Sequence, residues 1–368
     1  MATPLVVIFH QPPRAGDPPL IGLLARARDA LVTHQVALFD RAGGRVSVLP
    51  GRDPSSGTGE SFGERLARLV DEEPVQGGLI VLGSGAVPLL TLAGARRLVA
   101  TAAGGDRVAL TNNRYSSDVC AIGRPGVLRD LPPLPSDNAL PRWLEERADQ
   151  AVAELPGRDR LAIDIDTPLD LALAARIPSV PATLRRLAAQ EGFAIPRRDE
   201  LRAVAADPRR ELLVAGRSGS RTLVWLERHA RSRVRFLSEE RGLRASSDLA
   251  IEPAPGSAPG HAATPRPPRS TLGRLLAQRG PDALAAIVAE LSDGAILDTR
   301  VLLADRLGTD EDAWPTAEDR FASDLLRPSA ITDPWLRALT ASAATAPIPI
   351  LLGAHTIVGP GVRWLLAP

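Results

Sequence analysis

The chain has 368 residues, a net charge of +1 and 44% apolar residues, a balance that fits a soluble globular protein of two domains and gives no reason to expect nucleic acid or an anionic membrane as a partner. All 44 basic residues are arginine, which rules out a Walker A lysine and a pyridoxal Schiff base and leaves phosphate recognition to arginine forks, backbone N–H groups or a metal. The lone cysteine, Cys120, rules out an internal disulfide or a multi-cysteine metal site, and no apolar run reaches the ~18–20 residues that span a bilayer.

PLVVIF (4–9) reads as a buried first strand; it lacks a charged flank and runs into prolines, unlike a signal peptide, so a cytoplasmic protein is expected. GLLARARDALVTH (22–34) has helical spacing, and VALFD (36–40) and RVSVLP (45–50) read as strands. ESFGERLARLVDEE (60–73) is an amphipathic helix, GGLIVLGSG (77–85) an apolar strand with a glycine turn, and LAGARRLVATAA (92–103) a helix. RVALT (107–111) and DVCAIG (118–123) read as strands, ALPRWLEERADQAVAEL (139–155) as a helix, LAIDI (161–165) as a last strand and PLDLALAARI (168–177) as a last helix. Strands alternating with helices predict an α/β domain with a mostly parallel sheet over residues 1–195. Residues 178–210 carry prolines, the amphipathic segment TLRRLAAQEG and a charged patch around the expected boundary.

A second α/β domain is expected over 196–368, from strand ELLVAG (211–216), helix SRTLVWLERHA (220–230) and strand RVRFLSEE (233–240). The Pro/Ala/Gly-rich segment 251–270 reads as a flexible loop. Helices TLGRLLAQRG and PDALAAIVAELSDG, strand-like AILDTRVLLAD, helices at 314–326 and 333–346, and a closing strand and loop, IPILLGAHTIVG (348–359), complete it. Trp225, Trp314, Trp335 and Trp364 are expected as core anchors, and Asp298/Arg300 and Asp319/Arg320 as interdomain or helix-face ion pairs.

Three stretches, SFGERLARLV, GLIVLGSGAVPLLTLAGARRLV and AIDIDTPLDLALA, resemble the nucleotide-diphospho-sugar transferase (GT-A, Rossmann-like) fold over about residues 1–180. The resemblance is to nucleotidyltransferases of the molybdenum-cofactor guanylyltransferase and 2-phospho-lactate guanylyltransferase type and to related bacterial glycosyltransferase-like proteins. It implies a nucleotide or phosphorylated small molecule as partner, attack of an acceptor on the α-phosphorus, and Mg2+ held by carboxylates. The chain departs from that pattern twice. Its first loop, HQPPRAGDPP (10–19), keeps Arg14 and Gly16 as nucleotide contacts but has four prolines and no lysine. Its central turn, Gly83-Ser84-Gly85-Ala86-Val87-Pro88, offers Gly83, Ser84 and Gly85 as nucleotide contacts but lacks the metal aspartate the resemblance implies.

Further candidates lie in loops. In AIDIDTPLDL, Thr167, Pro168 and Asp170 spell a helix cap. Asp164 and Asp166, at i and i+2 on an expected strand end, are candidate metal ligands or plain ion-pair partners, and Asp166 a candidate catalytic carboxylate. LTNNRYSSDV (110–119) offers Asn112, Asn113 and Arg114 as nucleotide donors and Asp118 as a catalytic or metal carboxylate; the alternative is a polar hairpin loop. PSDNALPRW (135–143) fits a helix cap at Ser136 or Asp137, or an acceptor contact. In the second domain, Gly216, Arg217, Ser218 and Ser220 form a strand–turn–helix entry suited to an anion. His355, in LLGAHTIVGPGVRW (351–364), reads as a structural hydrogen-bonder or a general base. Three functions follow: a metal-dependent transferase, a catalytically degenerate binding or scaffold module, or chemistry located in the second domain.

Overall fold

The computed structural model describes residues 3–51, 60–72, 77–134, 136–192, 194–240 and 268–367. By contacts the chain divides into two units, Met1–Asp166 with Ala174–Gly192, and Thr167–Leu173 with Phe193–Pro368. Thr167–Leu173 therefore clusters with the second unit, although the sequence places it inside the first.

In the first unit, β1 (Leu5–His10) buries successive apolar residues on both faces. Next comes α1 (Pro19–Ala42), with a proline at its start and Gly43 in the left-handed region (φ 92°) at its end. The expected strand VALFD lies inside this helix, because Leu31, Gln35, Leu38 and Phe39 recur at helical spacing and are all buried. The order continues β2 (Arg45–Pro50), α2 (Phe62–Glu72), β3 (Leu79–Gly83), α3 (Leu92–Ala103), β4 (Val108–Thr111), β5 (Val119–Ile122), α4 (Leu140–Glu146), β6 (Ala151–Glu154), α5 (Arg158–Leu161), then α6 (Pro168–Ala174), which as far as Leu173 belongs to the second unit, and α7 (Ala182–Glu191). The sheet order is β2-β1-β3-β5-β4-β6, parallel except for β5, which runs against both neighbours.

Two expectations fail here. The helix at 139–155 stops at Glu146; Asp149 takes a positive φ of 51°, and Ala151–Glu154 becomes an edge strand on β4. LAIDI forms no strand: Leu161 closes a single helical turn, and the extended stretch after it makes one backbone bond to the sheet region, Ile165 N–H to Gly85 O at 2.9 Å.

The second unit runs α8 (Arg198–Ala206), β7 (Glu211–Gly216), α9 (Ser220–His229), β8 (Arg233–Ser238), α10 (Thr271–Arg279), α11 (Leu284–Ala289), β9 (Gly294–Asp298), α12 (Thr299–Leu307), α13 (Ala317–Asp324), α14 (Pro334–Thr345), β10 (Ile350–Gly353), α15 (His355–Val358) and α16 (Val362–Leu366). Its sheet is parallel throughout, in the order β10-β9-β7-β8. AILDTRVLLAD splits into β9 and α12, with Asp298 capping the helix through Arg300 N–H at 3.1 Å. The closing loop holds two short helices. Most of the expected loop at 251–270 lies outside the described residues.

The core packs Leu212, Val214, Ile296 and Leu351 of the sheet against Leu169, Leu173, Leu201 and Leu226 of the helices. The four tryptophans of this half are partly exposed: Trp225 and Trp364 pack against this core as expected, Trp225 also stacking on His229, while Trp314 and Trp335 lie under Arg320 and Arg306. No helix among the described residues is long and apolar enough to cross a membrane.

Candidate functional site

In the first sheet the chain leaves β1 for β2 on one side and later returns to β3 on the other. The carboxyl ends of β1 and β3 thus form a switch point, the place where open α/β sheets receive ligands. His10 ends β1. It is 7% exposed, its Nε2 stands 3.3 Å from Asp29 Oδ1 on α1, and its buried Nδ1 has no hydrogen-bond partner. Beyond β3 comes the Gly83–Gly85 turn, tied back by Ser84 N–H to Phe9 O at 2.9 Å.

Gly85 is glycine for a reason of space. A Cβ there would lie 2.8 Å from Ile165 O, 3.1 Å from Arg28 Nε and 3.5 Å from Asp166 Oδ1. Arg28 locks the approach, donating from Nε to Ile165 O at 3.0 Å and from Nη2 to Asp166 Oδ1 at 2.8 Å. A carboxylate from far along the chain therefore stands at a turn that has none of its own.

Asp118 comes to the same edge because β5 is reversed. Val119 pairs with Leu82, so Asp118 stands one step past the ladder, beside Gly83. Asn112 holds it there: its Nδ2 donates to Asp118 Oδ2 at 2.6 Å and to Leu161 O at 2.9 Å, and its Oδ1 accepts from Asp118 N–H at 3.0 Å and Val119 N–H at 3.3 Å. The polar hairpin thus uses Asn112 to shape the loop and hold the carboxylate.

Burial pushes the Asp118 carboxyl up to about 8, with Asp137 and then Asp166 adding repulsion and the Asn112 bond working against them. Burial likewise raises Asp137 to about 7; Asp166 adds to this, and the N–H groups of Asp137 and Asn138 oppose it. Asp118 and Asp137 keep partial solvent access, although loss of water is the largest cause of both shifts. Carboxyls tuned to titrate near neutrality are a mark of functional sites.

Sequence reasoning placed Asp118 and Asp166 here, and the structure brings them into electrostatic range. Of the two expected cap positions, Ser136 sits at the N-cap of a separate 3-10 turn (Asp137–Ala139) ahead of α4, and Asp137 opens that turn. Asp164 does not share a side with Asp166, since without a strand there is no alternation: Asp164 is 7% exposed and Asp166 about half exposed. His10, Asp29 and Arg28 were missed; the available signal was that His10 directly follows the first apolar strand.

Among the described residues no three His, Cys, Asp or Glu side chains converge into a metal cage. Arg14 and Gly16 lie exposed in the β1–α1 loop, where Arg14 donates to Gln11 Oε1 at 3.2 Å. Asn113 accepts from Arg158 Nη2 at 2.7 Å, and Arg114 is paired to Glu145 and bonded through its N–H to Glu154. Both stabilise the hairpin.

Thr167 and Asp170 form the expected capping box, with Asp170 N–H to Thr167 Oγ at 3.1 Å and Thr167 N–H to Asp170 Oδ2 at 2.9 Å. In the second unit the expected acid–base neighbours choose other partners. Asp298 takes Arg217, and Arg300 forks onto fully buried Asp324. Asp319 accepts from Thr332 and Asp333 N–H, leaving Arg320 to Glu311. Ser218 donates its hydroxyl to Val358 O and is buried, while Ser220 is exposed at the start of α9. Comparison of the chain with family models, with curated proteins and with solved structures finds no match.

Proposed function

We propose that the first unit handles a nucleotide or another phosphorylated small molecule, as a nucleotidyltransferase- or glycosyltransferase-like protein, at the carboxyl edge of β1 and β3. One observation carries this reading: Asp166 at Gly85, and Asp118 beside Gly83, flank a turn without a carboxylate of its own. With Asp137 they crowd negative charge at this edge, and such repulsion is relieved by a proton or by a cation.

All-oxygen donors suit Mg2+, which is commonly held by one or two carboxylates together with substrate phosphates and waters rather than by a complete protein cage. Asp118 and Asp166 would hold it, and bound Mg2+ would neutralise charge on the phosphate oxygens. Arg28 fixes Asp166, Asn112 fixes Asp118, and Arg14 brings positive charge to a loop whose prolines offer few N–H groups.

A second reading, a binding module without turnover, is favoured by the Arg28–Asp166 ion pair, which already neutralises one carboxylate. Thermal unfolding with each nucleoside triphosphate, with and without Mg2+, tests the proposal. Ligand at ~100 times its dissociation constant adds about 2.7 kcal/mol. A Mg2+-dependent rise that disappears in Asp166→Ala supports it, and then turnover separates the two readings. No rise with any nucleotide refutes it.

A further inference from the structure

The second unit holds a charged cluster that the reading of the first leaves unused. Its chain passes from β7 to β8 on one side and returns to β9 on the other, so the ends of β7 and β9 form a switch point of their own. Arg217 follows β7, Asp298 ends β9 and His355 follows β10, all at the carboxyl edge of one parallel sheet.

Asp298 is 2% exposed and accepts from Arg217 Nε at 2.7 Å, Arg217 Nη2 at 3.2 Å, Arg217 N–H at 3.2 Å and Arg300 N–H at 3.1 Å. Four donors leave that carboxylate little capacity for a ligand. What it does is fix the Arg217 guanidinium, whose side chain keeps 31% exposure and whose Nη1 takes no part in the fork. Burial works to raise the Asp298 carboxyl, but Arg217 first and His355 after it hold it below the usual carboxylate range.

The backbone is built around this pair. Gly216 has φ 149°, and a Cβ on it would lie 2.3 Å from Asp298 Cβ. Stability alone is a poor reason for such a device, because buried ion pairs seldom outperform apolar packing. The nearby acid Glu239 is turned to the start of α10, accepting from Thr271 N–H at 3.0 Å and Ser270 Oγ at 3.2 Å.

We propose that Arg217, held by Asp298, and His355 form an oxyanion site of the second unit that takes the phosphoryl group of a small molecule, sharing no residue with the carboxylate cluster of the first. A guanidinium fixed on one side presents its remaining donors in the planar geometry that phosphate oxygens match.

Calorimetric titration of the full chain with inorganic phosphate at constant ionic strength tests this. Saturable binding is expected, weakened about tenfold or more in Arg217→Gln and in His355→Asn, the loss of one charge-assisted hydrogen bond. Should Arg217→Gln fail to fold, Ser220→Asp decides. Ser220 is exposed and opens α9, where a carboxylate favours the helix but repels an anion, so folding is kept and binding lost. Absence of saturable binding overturns the proposal, as does binding that survives Ser220→Asp and His355→Asn or is abolished by Asp118→Asn.

Discussion

Asp118→Asn removes a charge while keeping the shape and the bond from Asn112 Nδ2. In the folded chain burial, then Asp137, push this carboxyl up to about 8; unfolded, it ionises near ~4. An acid that holds its proton more tightly when folded favours the fold at low pH. Its contribution is complete below ~4 and is lost as the pH rises through about 8. At ~1.4 kcal/mol per pH unit, that interval sets a ceiling of ~6 kcal/mol. Water reaching the partly exposed side chain reduces this, and we expect ~2 kcal/mol. Asp118→Asn should therefore raise the melting temperature of the first unit at pH 8 by ~4–8 °C and leave it unchanged at pH 4. Scanning calorimetry across that range reads the difference. A variant that is neutral or less stable at pH 8, or whose effect does not change with pH, would refute the reasoning. With Mg2+ at pH 8 the gap should narrow from the wild-type side, since a cation relieves the same repulsion.

Gly216→Ala combines a backbone forbidden to most side chains with a 2.3 Å clash against Asp298 Cβ, and should cost ~3 kcal/mol in urea unfolding. Thr167→Ala removes the cap acceptor for Asp170 N–H and should cost ~1–2 kcal/mol; adding Asp170→Ala should cost less than the sum, because both act in one box. Arg300→Met strands the Asp324 carboxyl, whose side chain is 0% exposed, and should cost ~3–5 kcal/mol. Most of that loss should return in Arg300→Met with Asp324→Leu, as urea midpoints would show.

The sequence made the apolar strands legible because LVVIF, LIVL and AILD are dense enough to be buried on both faces wherever they sit. It misled where composition and packing disagree. VALFD carries strand-forming residues, yet the buried positions Gln35, Leu38 and Phe39 continue a helical stripe begun at Leu31. Ala151, Ala153 and Glu154 are helix formers or strand-poor residues, yet pairing with β4 turns Ala151–Glu154 into an edge strand. Ile163 and Ile165 are both fully buried, which mimics a strand's alternation, but a single backbone bond replaces a ladder.

The stretch AIDIDTPLDL shows where such reasoning reaches its limit. Thr167 and Asp170 satisfy each other within one turn, so their role is written in their spacing and the structure reproduces it. The position of Asp166 is not written in any short spacing. Its place is fixed by Arg28, 138 residues earlier, and by the room that Gly85 leaves. Asp118 likewise depends on the reversal of β5, and its repulsion with Asp137 arises only once the chain is folded. Closed local interactions can be read before folding. The tuned carboxyls Asp118 and Asp137 cannot, because burial and the meeting of distant charges create their chemistry. For the same reason the test of function belongs at Asp118, where folding imposes an electrostatic cost that local structure does not explain, and at Asp166, which Arg28 holds at the same edge.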